Sequence, residues 1–387
     1  MELTPRFFKD SDQSYFIFGP RGTGKTTWLQ NTLGNAVFVD LLDPSVHRIY
    51  SAAPERIRDL VAAQKPGTVV VIDEIQKLPE LLDMVHLLIE SDRNRRFVLT
   101  GSSSRKLKRS GVDLMAGRAI VKTLHPFMAA EMGSSFKLDR ALTIGMVPLI
   151  ANSVDPDETL KSYISLYLRE EVKMEGLVRN IGTFSRFLET ISFSHASVLN
   201  LAHVSRECQV ERKTAEGYLS VLEDLLLAFQ LPVFMKRAKR HLSAHPKFYY
   251  FDAGVFRSLR PKGPLDSPEE IGGAVIEGLV AQHLRAWNAY RGETSRLFFW
   301  RTKSGTEVDF IVYGPDTFCA IEVKNSAQLH PKTFTGLNAF KSDYPEADLF
   351  LVYRGKDRLK KGNVLCLPAE SFLQGLDPAR PIRYHSI

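Results

Sequence analysis

The sequence predicts an α/β protein in three parts, and three observations predict it. Over the first third, short β-branched apolar runs alternate with helical patterns, as in a parallel sheet joined by helical crossovers. In the middle, apolar residues recur at three- and four-residue steps, the period of helices packed on one another. Beyond Arg296, short strands with Gly-containing turns return after one long helix, a second α/β region. With 387 residues, and about 150 per domain, two or three domains are expected. The patterns place three, at 1–135, 136–265 and 266–387.

Composition narrows the classes. With 44% hydrophobic and 25% charged residues, each part can bury a core, as soluble globular proteins do. No run approaches the roughly 18 uninterrupted apolar residues of a membrane span. The N-terminal Met1-Glu2-Leu3-Thr4-Pro5 has no secretory h-region, so a cytoplasmic location without a membrane partner is expected. Cys208, Cys319 and Cys366 are far apart and lack C-x-x-C spacing, which argues for buried reduced thiols rather than zinc or disulfides. The net charge of +7 favours polyanionic partners. The basic clusters 105–109 and 236–241 are either solvated loops or phosphate-contacting surfaces.

In the first part, the strand-like Tyr15-Phe16-Ile17-Phe18 runs into Gly19-Pro20-Arg21-Gly22-Thr23-Gly24-Lys25-Thr26-Thr27, which fits G-x-x-x-x-G-K-[ST]. Strand, glycine-rich loop and helix follow in the order a phosphate-binding loop requires. The backbone N–H groups and the helix N-terminus face one anion. Lys25 would reach the β- and γ-phosphates of a nucleoside triphosphate, and the Thr26 hydroxyl would ligate Mg²⁺. ATP with Mg²⁺ is therefore the expected ligand pair. A second strand is read at 36–40 and a helix at 54–63. The run Val69-Val70-Val71-Ile72 then ends in Asp73 and Glu74, the pattern of a strand buried on both faces with acids at its end. Asp73 would hold Mg²⁺ through water, and Glu74 would polarise the attacking water. A helix at 78–90 with Leu81, Leu82, Val85, Leu88 and Ile89 on one stripe should pack on the sheet, followed by a strand at Arg96–Thr100 running into Gly101 and Ser102-Ser103-Ser104.

The succession of phosphate loop, Asp-Glu strand, Thr-Gly-Ser-Ser-Ser strand, Ala116-Gly117-Arg118, and His125-Pro126-Phe127 with Glu131 resembles a bacterial and archaeal branch of AAA-type ATPases. That branch carries a winged-helix region and a C-terminal domain of obscure function, and the resemblance spans nearly the whole chain. It implies that a polar residue at the strand end, Thr100 or Ser102, senses the γ-phosphate; a helix N-cap or turn at Ser102–Ser104 is the alternative. It also implies that Arg118 acts as a finger or sensor across a subunit interface, in an oligomer and plausibly a ring. A structural salt bridge is the rival role for Arg118, and Arg105 is the weaker candidate for the finger.

The middle part opens through Gly145, Pro148 and the acidic turn Asp155-Pro156-Asp157-Glu158. A helical stripe of Leu160, Tyr163, Ile164, Tyr167 and Leu168 follows, then an apolar helix at 184–192. Residues 197–210 and 211–225 read as a helix-turn-helix, with Leu226–Val233 and Lys247–Asp252 supplying a wing. As a DNA-binding element it would present Arg212, Lys213 and Thr214. Glu211 and Glu216 beside them would repel phosphate, and interdomain packing is the other role such a module takes.

In the last part, Ser267-Pro268-Glu269-Glu270 has the N-cap, first-position proline and early acids of a helix start. Strands follow at 297–301, 307–312, 318–324 and 349–353. An Asp on one strand and Glu322-Val323-Lys324 on the next resemble the PD-(D/E)XK nuclease superfamily, whose restriction-endonuclease-like fold this implies. In that resemblance Asp309 and Glu322 bind Mg²⁺, Lys324 orients or deprotonates water, and Glu277 from the preceding helix completes the site. Some members of that fold bind without cutting. Two outputs remain open: ATP turnover coupled to DNA binding or processing, and an ATP-driven switch that recognises a protein through an inactive nuclease-like domain.

Overall fold

The computed structural model describes residues 3–102, 118–168, 180–235 and 245–384, with backbone alone at 166–168. Arg105 and the basic clusters 105–109 and 236–241 lie outside the described residues. The chain divides into two compact units. One comprises Phe8–His125 with Asp224–Leu226, the other Met1–Phe7, Pro126–Glu223 and Leu227–Ile387. Among the described residues no helix is long and apolar enough to cross a membrane.

The Phe8–His125 unit is built on one five-stranded sheet in the order β2-β3-β4-β1-β5. Its strands are β1 (Tyr15–Phe18), β2 (Val37–Asp40), β3 (Val69–Asp73), β4 (Arg96–Gly101) and β5 (Ile120–Thr123), and every pairing is parallel. Phe16, Phe18, Val70, Ile72, Phe97 and Leu99 face helices α3 (Arg56–Ala62) and α4 (Leu81–Ser91), meeting Ile57, Val61, Leu81, Leu82, Val85 and Ile89 in one core. The alternate residues Tyr15, Ile17, Val71 and Val98 are equally buried. That explains the near-continuous apolar runs in these strands. Because all strands run one way, Phe18, Asp73 and Gly101 emerge at the same edge, where α/β sheets present their ligand sites. Helix α1 (Lys25–Thr32) follows β1, and α2 (Pro44–Ala52) follows β2. The sequence reading passed over α2, although Asp43 caps it by accepting from Ser45 N–H and Pro44 opens it.

The other unit contains two sheets. The smaller, in the order β6-β8-β7, is antiparallel, with β6 (Ser197–Val198), β7 (Ala228–Leu231) and β8 (Lys247–Tyr250). Helices α5 (Ile181–Ser192), α6 (Leu201–Glu207) and α7 (Arg212–Asp224) surround it in sequence, and α8 (Ala253–Leu259) follows β8. The long helix α9 (Pro268–Tyr290) starts at Ser267, whose hydroxyl accepts from Glu270 N–H. The larger sheet has six strands in the order β13-β14-β12-β11-β10-β9. Strands β9 (Arg296–Arg301), β10 (Glu307–Tyr313) and β11 (Phe318–Lys324) form an antiparallel meander. Next, β12 (Asp348–Tyr353) and β14 (Val364–Pro368) add in parallel, and β13 (Leu359–Lys361) closes the edge. Trp300, Val308, Ile311, Ala320, Leu349 and Leu351 pack here on Leu337 and Phe340 of α10 (Thr335–Asp343). The three cysteines are buried free thiols.

Candidate functional site

The loop at the carboxyl edge of β1 is closed on itself. Thr23 donates its hydroxyl (2.8 Å) and its N–H (3.3 Å) to Pro20 O. Gly22 and Gly24 have φ of 82° and 88°, left-handed values that side chains with a Cβ disfavour. Gly24 is the N-cap of α1, so the curled loop leads directly into the helix N-terminus. Lys25 is buried, and its ammonium donates to Gly19 O at 2.7 Å, which holds it over the loop. Arg21 is half-buried within the same turn, and Thr27 is exposed on the first turn of α1.

The neighbouring strands complete this edge. Thr26 Oγ1 donates to Asp73 Oδ2 at 2.6 Å, which links α1 to the end of β3. Thr100 on β4 donates its hydroxyl to Asp73 Oδ1 and accepts the Glu74 N–H at 3.0 Å. Thr100 is fully buried, so one hydroxyl sets both the Asp73 carboxylate and the Glu74 backbone. Glu74 itself takes a left-handed turn at φ 58°, which costs about 1 kcal/mol in a residue with a Cβ. Its carboxylate accepts from Gln76 Nε2, which also lies 3.2 Å from Ser102 Oγ. Gln76 was absent from the sequence reading. Its only signal in the sequence is a polar residue two positions after Glu74.

The donor set fits Mg²⁺. A hydroxyl and a carboxylate, both hard oxygens, are side by side, and Mg²⁺ commonly takes one or two protein ligands with the rest from water and phosphate. When bound, the ion would neutralise charge between phosphate oxygens. Arg118 lies elsewhere in the unit. It precedes β5, whose Ile120 pairs with Tyr15 at the start of β1, so it stands at the sheet edge opposite the loop. There it is ion-paired with Glu90 of α4, and both side chains are substantially exposed.

The second cluster lies in the other unit and brings together Glu277 of α9, Asp309 of β10, and Glu322 and Lys324 of β11. Asp309 Oδ2 accepts Val323 N–H at 2.9 Å, joining the two strands. Lys324 donates to Glu322 Oε1 at 2.6 Å. At the centre is Lys247 of β8, which the sequence reading had assigned to a wing strand. Its ammonium meets Glu277 Oε1 at 2.9 Å, Asp309 Oδ1 at 3.2 Å and the Glu307 carboxylate. Tyr249 on the same strand donates to Glu277 Oε1 at 2.7 Å. Glu307 is also paired with Arg301 at 3.2 Å. Burial, reinforced by the charge of Asp309, pushes the Glu277 and Glu322 carboxyls above the usual range, against the pull of Lys247 and Lys324. Burial alone would lower the Lys247 ammonium, but Glu277, Tyr249, Asp309 and Glu307 hold it well above its usual value.

The Mg²⁺ that the nuclease resemblance implies does not fit this arrangement. An ammonium has three protons, and each of the three carboxylates around Lys247 takes one. Among the described residues no group of three acidic, histidine or cysteine side chains is placed to hold a metal ion. On α7, Lys213 is exposed and Thr214 half-buried, whereas Arg212 is bound to Glu216 at 2.9 Å.

Comparison with known proteins relates three stretches of the chain to described families. Residues 135–266 and 272–372 match two families described as domains of unknown function, DUF8612 and DUF4143. No match was found among the curated proteins. Among solved structures, the ORC2 protein of Aeropyrum pernix in its ADP form is 13% identical, over 70% of this chain and 88% of that one, with a TM-score of 0.31. The replication initiator DnaA bound to AMPPCP and single-stranded DNA is 14% identical over 55% and 82%, with a TM-score of 0.27. Protein VC1899 of Vibrio cholerae is 9% identical over 94% and 96%, with a TM-score of 0.22. At these scores the likeness does not reach a common fold. Residues 11–133 match the family model of an AAA domain, and the described part of this stretch is built on a parallel α/β sheet, so it resembles an AAA-type ATPase core.

Proposed function

We propose that the chain binds ATP with Mg²⁺ and hydrolyses it at the edge formed by β1, β3 and β4. The observation that carries this reading is the Asp73 carboxylate, held from one side by Thr26 and from the other by Thr100 beside the curled loop. Backbone N–H groups within Gly19–Thr27, other than Pro20, which has none, and Thr23, which donates to Pro20 O, bind the phosphates, and Lys25 turns from its loop carbonyls to the β- and γ-oxygens. Thr26 and Asp73 orient the ion. Glu74 accepts a proton from water aligned with the γ-phosphate, while Gln76 and Thr100 fix its side chain and backbone. Thr100 acts on the nucleotide through Asp73. Arg118 would reach a nucleotide only in a neighbouring copy, since its own loop is at the far sheet edge.

For the output, the reading is a cytoplasmic ATPase whose β6-α6-α7-β7-β8 segment is a winged helix and whose last region is nuclease-like, with turnover coupled to DNA. Two observations favour the second reading, a nucleotide switch that recognises a protein. Lys247 fills the nuclease-like pocket, and Arg212 on the would-be reading helix is already neutralised by Glu216. Phosphate release by the purified chain, with and without duplex DNA, tests both levels. Turnover abolished by Lys25→Ala supports the ATPase, and turnover that persists in that variant sinks it. Stimulation by DNA that fades as salt rises supports the DNA output, and indifference to DNA supports the switch.

A further inference from the structure

We infer that the Lys247 ammonium is the resident cation of the nuclease-like pocket, and that a divalent metal ion and a seated Lys247 exclude one another there. The pocket plays no part in the nucleotide reading, so the inference stands apart from ATP turnover.

The geometry leaves no room for both cations. The oxygens a metal would need, Asp309 Oδ1 and Glu277 Oε1, are those that Lys247 Nζ already bonds at 3.2 and 2.9 Å. Asp309 Oδ2 is occupied by Val323 N–H, and Glu322 Oε1 by Lys324. Two acceptors remain: Glu322 Oε2, which is buried and has no partner among the described residues, and Glu277 Oε2, since Lys247 and Tyr249 both bond Glu277 Oε1. What excludes a divalent ion is therefore not a shortage of oxygens but the ammonium seated on the two, Asp309 Oδ1 and Glu277 Oε1, that face the centre of the cluster. A dication bonded to Glu322 Oε2 and Asp309 would stand within a few ångströms of the ammonium, where like charges in a poorly solvated pocket repel strongly.

Lys247 is also fixed in place. Its side chain is 1% exposed, and β8 is the central strand of its sheet, paired with both β6 and β7. Tyr249, two residues along on the same face of β8, bonds the same Glu277 oxygen. Lys247 is therefore a built counter-ion to the carboxylates rather than a surface side chain folded in by chance. The pocket keeps the carboxylate pattern of a metal site with an amino group in the metal's position. Removing the amino group while keeping the stem should uncover a cation site.

The test is calorimetric titration of Mn²⁺ into the nucleotide-free full chain, so that the phosphate loop contributes no metal binding. Wild type, Asp309→Asn, Lys247→Met and the double variant Lys247→Met/Asp309→Asn are compared. The wild type is expected to show no site that depends on Asp309. Lys247→Met is expected to bind one Mn²⁺ at least tenfold more tightly, and the double variant to lose that gain. A wild-type Mn²⁺ site lost in Asp309→Asn overturns the inference, as does a folded Lys247→Met that binds no better than wild type. Should Lys247→Met fail to fold, the wild-type and Asp309→Asn titrations decide alone: the same affinity in both upholds the inference, and loss of a site in Asp309→Asn overturns it.

Discussion

Replacing Thr100 by Val keeps the shape of the side chain and removes one hydroxyl that serves two groups. In the native protein that hydroxyl donates to Asp73 and accepts from Glu74 N–H, in a fully buried position. A hydrogen bond to a charged group contributes about 1.5–3 kcal/mol. If that energy holds Asp73 and Glu74 in their reactive placement, losing it at about 1.4 kcal/mol per tenfold lowers kcat by roughly 10- to 150-fold. Nucleotide affinity should change little, because Lys25 is held by Gly19 O whereas the Thr100 hydroxyl bonds Asp73 and Glu74. The assay is steady-state phosphate release beside binding of a fluorescent ATP analogue, with Thr100→Ser as a control that keeps the hydroxyl. A folded Thr100→Val enzyme with kcat within twofold of wild type would refute the assignment of Thr100 as the positioning residue. So would a loss confined to nucleotide affinity.

Three further outcomes are expected. A Cβ added at Gly19 would stand 2.4 Å from Leu124 O, a backbone atom, so Gly19→Ala should distort the loop and weaken ATP binding at least about tenfold in the same fluorescence titration. If Arg118 acts across subunits, Arg118→Ala should lower turnover about 100-fold or more, and mixing it with Glu74→Gln, which is inactive alone but carries Arg118, should restore activity; absence of restoration removes the trans role. Stability should fall with acid because His195 and His283 are buried as neutral rings, with burial lowering them to about 3 and about 4. His283 Nε2 accepts Ala129 N–H while Nδ1 donates to Leu279 O, and His195 Nδ1 accepts Tyr250 N–H, so neither can protonate without losing a bond. Their folded values lie below the unfolded one near 6.5, so stability is full above it and is lost as pH falls toward 4. By pH 5 each ring contributes about 2 kcal/mol of loss, read by urea denaturation at pH 7.5 and 5.

The edge formed by β1, β3 and β4 was legible where its residues are contiguous. The loop and the Asp73-Glu74 pair are local strings whose spacing follows from one strand, one turn and one helix. The roles of Thr100 and Gln76 were not, because they arise from β4 lying beside β3, which no local pattern records. Strands read at 297–301, 307–312 and 318–324 are found as β9, β10 and β11, since alternation and Gly turns mark each of them. Helices α2 and α8 were passed over despite Asp43-Pro44 and Asp252 as caps, because each is short and its apolar stripe is broken. Strand β14 was missed although Gly362-Asn363, with Gly362 at φ 57°, makes the turn that joins it to β13. Lys247 was the hardest to find. It is 30 residues from Glu277 and 62 from Asp309, and a lysine inside Lys247-Phe248-Tyr249-Tyr250 looks like an exposed strand position.

That lysine has a consequence for how such a protein can be inherited. Lys247 and Tyr249 come from the segment that matches one family, and Glu277, Asp309 and Glu322 from the segment that matches another. Separating the two would strand a buried ammonium on one side and carboxylates on the other, each uncompensated charge costing about 3–5 kcal/mol. The Phe8–His125 unit contributes no residue to this cluster. The two later segments, by contrast, share one electrostatic account and would have to travel, diverge and be lost as a pair.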